Sequence, residues 1–151
     1  VGAYEEIPLA FAKIPTNEEI EEQTKDKSFY IANRARMFQR TVKEKGKLDP
    51  TYPYPVQVWN LGGGEVKWVF LGGEVVVDYS LRLKRNLDPA HTWVTAYTND
   101  VMAYIPSLRV LKEGGYEGAT AMIYYGRPSP WSDPVEEDIF AALARVLEAA
   151  K

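Results

Sequence analysis

Three consecutive glycines, Gly62-Gly63-Gly64, separate two short apolar runs, "VQVWNL" and "VKWVFL". Both runs are rich in β-branched and aromatic residues, and the linker is Gly-rich and ends in Glu65. That pattern is a β-hairpin signal, and the second run reads as the more buried strand. A hairpin of this kind needs a layer packed against it, so the flanking segments decide the fold class.

Upstream, "AYEEIPLAFAKI" reads as a short extended segment. "PTNEEIEEQTKDKSFYIANRARMFQRTVKEKG" then reads as one long helix or two in succession. Thr16 or Asn17 can cap it, acids crowd its first turn, bases dominate its last, and Gly46 ends it. "LDPTYPYP" reads as a connector, because Pro50, Pro53 and Pro55 oppose regular structure.

Downstream of the hairpin comes "LGGEVVVDYSLRLKR". The run Val75-Val76-Val77 favours a strand, but the basic end and the stop at Asp88-Pro89 favour a helix, and helix is preferred. "HTWVTAYTN" predicts a largely buried strand, and "DVMAYIPS" a loop carrying Tyr104. "SLRVLKEGG" reads as a short helix closed by Gly114-Gly115, and "YEGATAMIYYG" as a loop and short strand. "SPWSDPVEEDIFAALARVLEAAK" is a terminal helix capped by Ser132 or Asp133, with Ile139, Leu143, Val146 and Leu147 as its buried stripe.

The expected architecture is therefore α/β (or α+β), a layered sheet with flanking helices in a single domain over residues 1–151. Strands are expected near Val56–Trp59, Val66–Leu71, Trp93–Tyr97 and Ala121–Tyr124, and the last helix over Pro134–Ala149. Of the four tryptophans, Trp59, Trp68, Trp93 and Trp131, each is either core or part of a surface covered by other protein.

Composition narrows the chemistry. A net charge of -3, with bases interleaved among acids, gives no reason to expect nucleic acid. No run is long and apolar enough to suggest a membrane span. There are no cysteines, so thiolate metal sites are excluded, and a single histidine, His91, makes a self-contained zinc or Ser-His-Asp site improbable. The opening "VGAYEEIPLAF" reads as a piece of a larger protein.

Two junctions stand out, Gly72-Gly73-Glu74 after "KWVFL" and Asn99-Asp100 with Tyr104 after "TWVTAYT". If their strands are parallel neighbours, Glu74 and Tyr104 share the mouth where α/β sites form. The plainer alternatives stay open, Glu74 as a first-turn helix residue and Tyr104 as a packing residue.

The stretch "FLGGEVVVDYSLRLKR … WVTAYTNDVMAYIPSLRVLKEGGYEGATAMIYYG" resembles the later part of the catalytic domain of neutral/alkaline non-lysosomal ceramidases, over roughly Tyr52 to Gly126. In that family a strand ends in Pro-Gly-Glu or Gly-Gly-Glu and leads into a helix, and a later strand gives Asn and then a tyrosine-bearing loop. Val101 and Pro106-Ser107 stand where the family often shows a tyrosine and two threonines, which fits a divergent bacterial-type branch. The family hydrolyses the N-acyl amide of ceramide to sphingosine and a fatty acid at a zinc ion. The resemblance implies Glu74 and Tyr104 as metal ligands and Tyr116 as a catalytic donor on the oxyanion side. It also implies two zinc histidines from an N-terminal part of the domain outside these residues, with His91 a surface or structural histidine. The chain alone is then expected to be inactive, to bind zinc weakly or not at all, and to self-associate through the surface that part would cover. The resemblance suggests a secreted, periplasmic or membrane-surface setting and a lipid amide substrate. The competing expectation is a non-catalytic binding module that keeps the fold.

Overall fold

The hairpin is built as the glycines require. In a computed structural model describing all 151 residues, Gly62, Gly63 and Gly64 all take positive φ and join two antiparallel strands. In chain order the elements are β1 (Gly2–Ala10), α1 (Asn17–Gln23), α2 (Phe29–Lys45), β2 (Thr51–Leu61) and β3 (Val66–Leu71). Then come β4 (Glu74–Val75), α3 (Val77–Asn86), β5 (Thr92–Thr95), β6 (Tyr104–Ile105), α4 (Leu108–Glu113), α5 (Gly115–Gly118), a 3-10 turn over Thr120–Ile123, and α6 (Val135–Ala149). The main sheet has the order β1-β2-β3-β5, antiparallel except for the parallel β3–β5 pair, and β4 and β6 form a separate parallel pair. The α/β architecture, a sheet with flanking helices, is the expected one.

One face of the sheet is core. Ile7 and Leu9 of β1, Tyr54, Val56 and Val58 of β2, and Val69 and Leu71 of β3 pack with Ile139, Ala142, Leu143 and Val146 of α6. Tyr79 and Leu83 bring α3 into the same cluster, and the Tyr79 ring stacks on Phe140 at 5.6 Å. A small second cluster, Ile20, Ala35 and Phe38, holds α1 against α2. Thr16 caps α1 in a full capping box with Glu19, and Gly46 closes α2 in the left-handed conformation. No helix is long and apolar enough to cross a membrane.

The opposite face carries Trp59, Trp68, Phe70 and Trp93 in one aromatic cluster, with Trp59 and Trp93 exposed. Trp131 alone of the tryptophans is fully buried.

Four expectations need correction. The segment holding Pro53 and Pro55 is strand, because β2 begins at Thr51. Pro53 lies opposite Pro8, a position where neither residue donates to the ladder, and Pro55 has the same orientation two residues on. Their missing N–H groups face the other edge; Pro53 has no partner strand there, and Pro55 meets Gly72, whose N–H donates to Pro55 O at 3.4 Å while its carbonyl takes the Tyr54 hydroxyl in place of a main-chain donor. The strand expected over Ala121–Tyr124 is a 3-10 turn, since Ala121 and Met122 bury themselves beneath the helices rather than pairing with the sheet. The strand expected over Trp93–Tyr97 ends at Thr95 and forms a sheet edge, which leaves Trp93 and Tyr97 exposed instead of buried. The cap of α6 also differs, Pro134 occupying it with no side-chain bond from Ser132 or Asp133.

Candidate functional site

Glu74 is placed by the two glycines before it. Gly72 is pressed between Pro55 and Met102, where an added Cβ would lie 2.9 Å from the Pro55 ring. Gly73 turns the chain at φ +68, and a Cβ there would lie 2.7 Å from the Ala103 carbonyl oxygen. Only glycine allows both the turn and this approach. The chain then meets the segment after β5. Gly73 N donates to Asp100 O at 2.7 Å, Glu74 N to Ala103 O at 2.9 Å and Val76 N to Ile105 O at 3.1 Å. Glu74 and Tyr104 are thereby register partners in the β4–β6 pair. Glu74 lies ahead of the helix, whose N-cap is Val76, so it is not a first-turn residue of α3.

Buried donors tie this pair to the core. Tyr54 donates its hydroxyl to Gly72 O, Tyr79 donates to Pro106 O, and the Trp131 indole donates to Tyr104 O at 2.9 Å. Both strand ends therefore hang from rigid, fully buried side chains.

Tyr116 arrives by a different route. Ser107 caps α4 and its hydroxyl also contacts Asp78, which Arg109 engages in turn. Gly114 and Gly115 take positive φ, and the chain folds straight back as α5. At Gly118 an added Cβ would come within 2.4 Å of the Val110 carbonyl oxygen, so this return is glycine-dependent too. The result sets the Tyr116 ring edge-to-face on Tyr104, with centroids 5.6 Å apart. Tyr125 packs edge-on against Tyr104 from another side at 6.4 Å, and Tyr124 lies 6.1 Å from Tyr116.

The structure thus brings Glu74, Tyr104 and Tyr116 into one cluster at the carboxyl ends of β3 and β5, which are parallel neighbours. It adds Tyr97 and Tyr125, which the sequence reading left out. The Glu74 carboxylate pushes the Tyr97 and Tyr104 hydroxyls up to about 12, first by hydrogen bonding to the protonated phenols, then with burial and its negative charge adding to the effect. Burial raises Tyr125, and the Glu74 charge adds to it. Tyr116 is about half exposed, so the cluster opens to solvent on its side.

His91 stands elsewhere, exposed at the amino end of β5 with Nδ1 2.7 Å from Asp88. No group of three or more His, Asp or Glu side chains is placed to hold a metal ion. Glu74 and Tyr104 are two oxygen donors on adjacent strands, fewer than the three or four protein ligands of a tight zinc site. The signal for Tyr97 was present as the turn-forming "TND" that follows it, since Asn99 tolerates a left-handed backbone and marks an early strand end. Comparison of the chain with protein-family models, curated proteins and solved structures gives no match.

Proposed function

We propose that this chain is a portion of a zinc-dependent amide hydrolase of the neutral/alkaline ceramidase type, acting on a lipid N-acyl amide. In this reading Glu74 and Tyr104 are two of the zinc ligands, and two histidines outside these residues complete the set. The remainder of the domain would also cover the aromatic face around Trp59 and Trp93. When bound, zinc supplies Lewis-acid chemistry, polarising the amide carbonyl and lowering the pKa of its water to about 7. Tyr116 offers a phenol O–H toward the oxygen that becomes negative in the transition state. Tyr125 and Tyr104 hold the neighbouring rings in place, which limits the orientations open to Tyr116 and its partner hydroxyls.

The observation that carries this reading is the pairing of Glu74 with Tyr104 in register, with Tyr116 packed on Tyr104 from a separate element. Three residues far apart in sequence meet through turns that depend on Gly73 and Gly118. The test is hydrolysis of ceramide by the full-length parent protein, assayed with and without a chelator. Activity lost on chelation and restored by zinc is the expected result. Hydrolysis indifferent to chelation, or none at all, would overturn the proposal.

A further inference from the structure

We propose that the cleft between α2 and the loop over residues 126–128 binds a small monocarboxylate with an apolar tail, its carboxylate held by Arg127. This site is separate from the Glu74 cluster and does not rest on the hydrolase reading above.

The cleft follows a seam in the packing. One hydrophobic cluster lies on the sheet, and the small one of Ile20, Ala35 and Phe38 joins α1 to α2. Phe11 and Tyr52 pack at the edge of the first, and Leu48 packs at the edge of the second. Between the two clusters is a cleft of about 240 Å³, walled by Phe11, Met37, Phe38, Leu48 and Pro53. Gly126 turns at φ +68, and Met37 Cε lies 3.0 Å from where a Cβ would stand, so helix and loop meet at this side of the cleft.

Arg127 lines the same cleft, half-buried, and is fixed from several sides. Its N–H donates to Met122 O at 2.9 Å, its carbonyl accepts from Arg34 Nη1 at 3.1 Å, and its Nε donates to Met102 O at 2.9 Å. The guanidinium lies over the Tyr52 ring, 4.1 Å from its centre. Its Nη groups make no hydrogen bond within the chain, and no ion pair of the chain includes Arg127. Arg34 beside it has no carboxylate either. Its Nη groups bond Arg127 O and the Gln23 side chain, and its Nε is buried without a partner. Of the nearby carboxylates, Asp100 accepts the Tyr52 hydroxyl at 2.8 Å, and Asp49 lines the cleft as an exposed residue.

These features define the ligand. A half-buried guanidinium with unmet donors gains most from an anion. Its two free Nη groups match the two oxygens of one carboxylate, and Asp49 opposes a doubly charged group such as phosphate. The apolar walls take the tail, and the small volume limits it to a short chain.

The test titrates the 151-residue chain with octanoate, 1-octanol, acetate and inorganic phosphate, following backbone amide shifts by NMR. Octanoate should bind saturably, with shifts centred on Met37, Thr51, Gly126 and Arg127. 1-Octanol, which lacks the charge, and acetate, which lacks the tail, should each bind at least roughly tenfold more weakly. Arg127→Gln should cost octanoate roughly tenfold in affinity and leave 1-octanol unchanged, a split that general loosening of the fold does not produce. Met37→Glu places a negative charge in the wall at a partly exposed position, and it should abolish octanoate binding with the melting midpoint little changed. This second variant decides the matter where Arg127→Gln does not fold. Octanoate that fails to saturate, or shifts that fall elsewhere, would overturn the proposal. So would 1-octanol or phosphate binding as tightly as octanoate, or octanoate affinity retained in either variant.

Discussion

Glu74 and Tyr104 face each other across a parallel pair only two residues long, separated by thirty positions of chain that include a helix and a strand of the main sheet. The pair exists because β3 and β5 run side by side and both chains leave the sheet at the same end. Main-chain bonds fix its spacing, so the carboxylate and the phenol are brought together before either side chain interacts. Any ion or polar group that engages both meets a site ordered by the backbone.

Glu74→Gln in the full-length parent removes the negative charge while changing little volume. The fold of the chain should survive, because its own backbone bonds hold β4 to β6. Activity and zinc content should both fall by more than the roughly 10–100-fold cost of losing an outer partner of a ligand. Zinc analysis and amide hydrolysis of the variant check this, and retention of both would remove Glu74 from the metal.

Tyr104→Phe and Tyr116→Phe should separate two roles. In the proposed hydrolase the first takes away a ligand atom, so zinc content should drop with activity. The second leaves the ligands intact, so zinc content should stay near normal while kcat falls by roughly 10²–10³, the cost of one oxyanion donor. Equal zinc loss in both variants would argue that the two tyrosines act only as a packed unit, since their rings touch.

The chain by itself offers a carboxylate and phenols and no clustered histidine. Zinc should therefore bind it weakly, because tight sites supply three or four protein ligands. Stoichiometric zinc retained through dialysis against a mild chelator would contradict this and would bring His91 back into question.

The hairpin, the helical amino-terminal segment and the α6 stripe were legible because each announces itself locally, through glycines, caps or helical spacing, while the choice between one helix and two over residues 17–45 stayed open. The proline-bearing half of β2 was not. Whether Pro53 and Pro55 break a strand depends on which edge their missing N–H groups face, and that is a property of β1 pairing with them across 40 residues or more. The 3-10 turn after Tyr116 was hidden for a related reason. Its "ATAMIYY" run has strand-like composition, yet the Gly118 contact with Val110 commits it to the helical layer. Within the site, the meeting of Glu74, Tyr104 and Tyr116 could be expected from the ordered motifs. The place of Tyr97 beside them was only half legible, because "TND" marks the turn while the positive φ of Tyr97 itself is one its residue type does not advertise.

Gly73 and Gly63 offer a controlled comparison, since both sit at φ +68. Gly63 has open space where a Cβ would go, and Gly73 has the Ala103 carbonyl oxygen at 2.7 Å. Gly63→Ala should cost only the left-handed penalty, about 1–2 kcal/mol. Gly73→Ala adds a backbone collision and should cost more, with the melting midpoint lowered by several degrees beyond the Gly63 variant. Equal melting temperatures for the two variants would mean that the β4–β6 pair yields easily and that the site is not held rigidly.

Alkaline pH should loosen the fold through the phenols on Glu74. Tyr97 and Tyr104 are raised to about 12 in the folded chain, against about 10 when exposed in the unfolded one. Between these values the unfolded chain has already released the protons that the folded chain still holds, so each step up in pH favours unfolding. The contribution of the two phenols is whole below about pH 10 and is lost as pH rises toward about 12. Buried Tyr54 and Tyr79 are raised as well, by burial first, and act in the same direction. Glu74→Gln separates the two sets, because it removes the carboxylate that holds the Tyr97 and Tyr104 protons and leaves Tyr54 and Tyr79 where they are. Denaturant melts at steps across this window should therefore show a shallower loss of stability in Glu74→Gln than in the unsubstituted chain, and phenolate absorbance should appear at lower pH in the folded variant. Identical pH profiles for the two proteins would mean that the phenols do not engage Glu74 in solution.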